Sequence, residues 1–111
     1  MANTLKNVVT NGVGTSEATL YTVPADTTTI LIGLTMANTL ANDQIDVSVS
    51  VTDTSAGTTA YIVKNATIAP GGALVPVGGE QKVILETTDV VKVQSSAATS
   101  LDVIASVVEQ S

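Results

Sequence analysis

The sequence predicts an all-β protein, a single-domain sandwich of about eight or nine short antiparallel strands. Three observations predict it. Polar and apolar residues alternate with the period of two that a half-buried strand requires. Clusters of Gly, Pro, Asn, Asp and Ser interrupt the chain roughly every eight to twelve residues. No stretch carries the apolar period of about 3.6 residues that marks an amphipathic helix.

The first expected strand covers residues 4–10, and residues 11–16, with Gly12 and Gly14, have the composition of a hinge. Residues 1–16 are therefore an ordinary first strand or an arm that pairs with a neighbour, ahead of a sandwich domain over 17–111. A short strand follows at 18–23. Residues 27–38 alternate with Ile30, Ile32, Leu34 and Met36 facing inward, and Gly33 leaves a gap on the opposite face. The clearest strand is 44–52, where Ile45, Val47, Val49 and Val51 share one face and Asp46, Ser48, Ser50 and Thr52 the other. Further strands are expected at 59–69, 73–77, 82–86 and 90–95. In the last, 100–109, Leu101, Val103, Ala105 and Val107 oppose Asp102, Ile104, Ser106 and Val108, so its second face is only partly polar. Pro70-Gly71-Gly72 and Gly78-Gly79 supply tight connections between these strands, and Greek-key connections are the economical way to join them.

A chain of 111 residues builds one core, and this one lacks Phe and Trp. Tyr21 and Tyr61 are its aromatic residues, so burial falls to Val, Ile, Leu and Ala, each contributing about 1.5 to 3 kcal/mol at most when fully buried. The charged residues are more restrictive. There is no His, Cys or Arg, and ten carboxylates face four lysines, for a net charge of −6. Ordinary zinc and copper sites, Ser-His triads and thiolate nucleophiles are thereby excluded, and no cofactor is expected. The acidic balance and the missing arginines argue against nucleic acid and for a neutral or basic partner surface. No segment approaches the roughly 20 apolar residues that span a bilayer, and residues 1–14 lack the basic start and apolar stretch of a secretory signal, so neither membrane insertion nor secretion is expected.

Asp43, Asp46 and Asp53 flank one strand and would suit calcium by ligand type, but strand spacing separates them and no EF-hand pattern is present. Glu80, Glu86 and Asp89 invite an acid/base reading, which lacks the aromatic platform of a sugar-cleaving cleft. No enzymatic activity is expected. Neither double glycine precedes a helix or a P-loop lysine, and Asn65-Ala66-Thr67, though it fits the glycosylation pattern, reads as strand.

Leu20-Tyr21-Thr22-Val23-Pro24-Ala25, a Thr-rich turn, an alternating strand, Asn38-Thr39 and a second alternating strand make up residues 19–51. This stretch resembles a recurrent module of tailed-phage virion proteins, especially small structural proteins of marine and cyanobacterial phages. Ala60-Tyr61-Ile62-Val63-Lys64-Asn65, Pro70-Gly71-Gly72 and Gly78-Gly79 continue the likeness over most of the chain, while many such modules carry Gly at the position of Asp26. The resemblance implies an immunoglobulin-like or jelly-roll β-sandwich. It also implies a non-enzymatic capsid decoration or cement protein, made in the host cytoplasm, bound to the major capsid protein on the capsid surface, and commonly a homotrimer at a local three-fold position. A tail, baseplate or fibre accessory module of the same fold is the alternative. A carbohydrate-binding module is a weaker one, because sugar faces are usually held on aromatic rings.

A docking role requires apolar residues left over after the core is built. Leu31, Ile62, Ile104 and Val108 fall opposite the main core pattern and form the candidate partner interface. The competing expectation is that both faces of these strands are internal to one monomer.

Overall fold

The computed structural model describes residues 3–111; Met1 and Ala2, at the head of the expected N-terminal segment, lie outside the described residues. Nine strands form: β1 (Asn3–Val13), β2 (Ala18–Thr22), β3 (Thr28–Asn38), β4 (Ile45–Asp53), β5 (Thr58–Ile68), β6 (Ala73–Val77), β7 (Val83–Leu85), β8 (Val90–Ser95) and β9 (Leu101–Gln110). The strands arise where alternation or a β-branched run predicts them, except that β1 continues through residues 11–13, expected as part of a hinge, and most end at a Gly, Pro, Asn, Asp or Ser cluster. In the β5–β6 turn Gly71 adopts φ +68°, a conformation open to glycine at little cost. Asp26, between β2 and β3, adopts φ +57°, the left-handed region that Asp and Asn tolerate better than most residues.

The strands pack as two antiparallel sheets. The first has the order β1-β9-β3-β6, with β7 continuing the β6 edge along β3; the second has the order β2-β8-β4-β5. This is the jelly-roll order, two interlocked Greek keys that carry successive strands back and forth between sheets. In an immunoglobulin domain the first two strands share a sheet. Here β1 pairs with β9, and β2 lies in the opposite sheet.

The core between the sheets is built from the inward-facing residues of β3, β4, β8 and β9, with Leu34, Met36, Val47, Val49, Val93 and Val103 fully buried. Two polar side chains organise its ends. The Asn38 amide nitrogen donates towards the carbonyls of Asp43, Ile68 and Ala69 (2.9, 3.1 and 3.2 Å), and its oxygen accepts from the Leu40 amide at 2.9 Å. The buried Asp89 carboxylate accepts from the amides of Thr54 (3.3 Å) and Glu86 (2.9 Å), fastening the β4–β5 turn to the β7–β8 turn.

The facing of β3 differs from simple alternation. Its register against β9 slips between Leu31 and Gly33, so that Thr29 and Leu31 face inward before the irregularity and Leu34, Met36 and Asn38 after it. An inserted residue in a strand inverts the facing of everything beyond it. Ile30 and Ile32, expected inside, are therefore only partly buried, and Leu31, expected outside, is 1% exposed.

Candidate functional site

Among the described residues there is no pocket, so the sites to consider are surface ones. The two outer sheet faces are unlike each other. On the second sheet, Thr19, Lys92, Ser50 and Tyr61 lie side by side across all four strands, with Ser50 buried among its neighbours and its hydroxyl unbonded. Polar groups here engage one another: Lys92 lies 3.8 Å from Glu17, Thr67 donates to Asp46 at 2.8 Å, the Thr52 and Thr59 hydroxyls bond at 2.9 Å, and the Lys64 ammonium sits 4.6 Å from the centre of the Tyr61 ring.

The outer face of the first sheet carries most of the large exposed apolar side chains, bordered by Asn3, Gln110 and Thr28 in one row and by Thr35 beside Ile104 in another. Leu5 pairs with Val108, Val108 with Ile30 and Ile30 with Ile84, so one line of aliphatic side chains crosses β1, β9, β3 and β7. Asn7, Ser106 and Gly33 form a line of smaller residues, and beyond it Val9 pairs with Ile104. Leu5 is 79% exposed, Ile84 62%, Val75 60%, Val9 59% and Ile104 52%. The remaining large exposed hydrophobic among the described residues, Tyr61, lies on the other sheet. Asp102, at one end, is the charged strand residue on this face, and its carboxylate accepts from the Gly12 amide at 3.0 Å.

Of the four interface residues expected from sequence, Ile104 and Val108 share this face, two side chains apart along β9. Leu31 does not belong to it, because the slipped register turns it into the core. Ile62 lies in the other sheet, on β5, where it is partly buried and packed against the core. Sequence reasoning missed Leu5, Val9, Ile30, Val75 and Ile84. The consecutive apolar residues Val83, Ile84 and Leu85 were the available signal, since a strand cannot turn three neighbours to one side.

Two polar clusters complete the inventory. Carboxylate oxygens of Asp53, Glu86 and Asp89 lie within 4.8 Å of one another, whereas Asp43, Asp46 and Glu80 are not part of the group. Both oxygens of Asp89 already accept backbone hydrogen bonds. Asp53 accepts from the Ser55 hydroxyl and the Ser55 and Ala56 amides (2.8, 3.1 and 3.2 Å), which hold its carboxyl below the usual carboxylate range. The arrangement closes turns. At the same end of the sandwich, where Thr22 pairs with Val90 next to Asp89, the Tyr21 hydroxyl reaches from the second sheet to the Thr29 hydroxyl at 2.9 Å and to the Glu109 carboxylate, which Lys6 approaches at 3.8 Å.

No protein-family model and no curated protein matches the sequence. Solved structures do overlay on it. A structure of infectious bursal disease virus, Gx strain, superposes with a TM-score of 0.56 at 11% identity, covering 96% of this chain and 32% of the viral one. The VP2 subviral particle of the same virus gives 0.55 at 10% identity, with 96% and 32% coverage. The likeness is one of fold. The chain spans about a third of the length of each viral chain.

Proposed function

We propose that this chain is a non-enzymatic virion structural protein, a capsid decoration protein that lays the outer face of its first sheet on the major capsid protein. The line Leu5, Val108, Ile30 and Ile84, with Val9, Ile104 and Val75 beside it, carries the proposal, because it gathers apolar surface that nothing in the monomer covers. The jelly roll shared with a viral particle protein supports a shell context. The resemblance of residues 19–51 to tailed-phage virion modules points to a phage particle.

The size of the face fits such a role. Four strands about 4.8 Å apart and some 30 Å long offer roughly 600 Å². That is somewhat below the ~800 Å² per partner of a stable free-standing complex. Many copies on one shell make such contacts add up. The complementary patch is apolar and uncharged, in a neutral or basic setting that tolerates a chain of charge −6.

The test is cryo-electron microscopy of particles carrying the chain, together with a binding assay for Ile84→Asp combined with Ile104→Asp. Both side chains are exposed, so the variant is expected to keep the circular dichroism and melting behaviour of the parent while losing particle association. Regular density over the capsomers supports the proposal. Density confined to the tail supports the accessory-module alternative, and undiminished binding by a folded variant removes the proposed face.

A further inference from the structure

We propose that β1 is a self-association edge, at which two copies of this chain pair β1 with β1 antiparallel about a two-fold axis through Asn7. The two first sheets would then become one continuous sheet of doubled width. This inference concerns the free protein in solution and does not depend on the proposed capsid partner.

The first observation is that β1 is the longest regular open edge. It is hydrogen-bonded on one side, to β9, and its register runs without interruption from Asn3 opposite Gln110 to Thr10 opposite Val103. The remaining edges carry features that discourage strand addition. β2 has five residues and an irregularity between Thr19 and Tyr21. β5 is broken by register shifts and by Asn65 at φ +53°. The opposite edge of the first sheet is divided between the short β6, which contains Pro76, and the three-residue β7.

The second observation is that β1 is nearly palindromic about Asn7. Reading outward from that residue, Val8 mirrors Lys6, Val9 mirrors Leu5, Thr10 mirrors Thr4 and Asn11 mirrors Asn3. A two-fold antiparallel pair places residue i of one strand opposite its mirror position in the other. It therefore brings together Leu with Val and Thr with Thr, pairs that stabilise antiparallel sheets. Lys6 meets Val8 instead of a second lysine, and Glu109, 3.8 Å away, balances its charge.

The same register gives the pairing an apolar face. Leu5, Asn7 and Val9 all point to the outer side. Leu5 of one copy then lies opposite Val9 of the other, joining the Ile84-Ile30-Val108-Leu5 line of one subunit to the Val9-Ile104 pair of its mate. The resulting two-fold arrangement differs from the trimer that the sequence resemblance implies, so native mass separates them.

The experiment uses the full chain, which has no cysteine of its own. Sedimentation is expected to give twice the monomer mass at tens of micromolar. Under mild oxidation Asn7→Cys is expected to form a disulfide-linked dimer on a non-reducing gel, since the two thiols meet at the axis, where directly opposed Cβ atoms are about 5 Å apart. Leu5→Cys, on the same strand and equally accessible, is expected to remain uncrosslinked because its mate is about 13 Å away along the strand. Both positions are exposed, and circular dichroism verifies that each variant is folded. A monomer or trimer mass overturns the proposal, as does crosslinking of Leu5→Cys in preference to Asn7→Cys.

Discussion

Tyr21 shows how one side chain joins two sheets that have few polar groups between them. Its ring supplies apolar area in a core without Phe or Trp, and its hydroxyl bonds Thr29 and Glu109 on the opposite sheet. Burial, followed by the hydrogen bond to Glu109, pushes its pKa up to about 12 from an ordinary value near 10. Between those values the unfolded chain releases the proton before the folded one. The associated stability is therefore fully present below pH 10 and is lost as pH rises towards 12. Urea denaturation at pH 8 and pH 11 is expected to show this loss in the parent, with a clearly smaller drop for Tyr21→Phe. At pH 8 the variant is expected to be about 1 to 3 kcal/mol less stable, because it strands Glu109 and Thr29 without their partner.

Strand β3 illustrates what an element can hide from its sequence. Ile30-Leu31-Ile32 offers three apolar neighbours, and nothing in that triplet states which one sits at the irregularity. The pairing with β9 decides it, placing Leu31 opposite Val107 and Gly33 opposite Ser106. Leu31→Ala is accordingly expected to cost about 2 to 5 kcal/mol in a denaturant titration, as for a fully buried leucine. Ile30→Ala, on the outer face, should cost about 1 kcal/mol or less. Where alternation is uninterrupted, as in β9, sequence alone identified both faces, including Ile104 and Val108. Where a slip intervenes, as at Leu31 in β3 and at Ile62, which stands unpaired between Tyr61 and Val63 opposite β4, periodicity carries no warning. The exposed partners on β1 and β7 were hidden for a different reason. Leu5 and Ile84 acquire meaning as an interaction line only after β9 and β3 place them in one row, and that adjacency is a property of topology.

At the scale of the whole molecule, one sheet presents hydroxyls, lysines and carboxylates that bond one another, and the other presents aliphatic side chains without partners. On the proposed reading, the polar face is the solvent side and the aliphatic face the contact side. The closing pair of the first sheet brings a separate consequence. Asn3 stands opposite Gln110, so the two ends of the described chain lie about 5 Å apart. A few Gly and Ser residues would therefore join them, and the exposed turn around Ser55 to Gly57 could be opened instead. A circular permutant built in this way is expected to keep the parent's β-rich circular dichroism spectrum and a cooperative melt; loss of both would mean that the order of synthesis matters to this jelly roll. Adjacent ends also make the domain a cassette. Spliced into a surface loop of a host protein, it would enter and leave at one point, with both sheet faces still accessible.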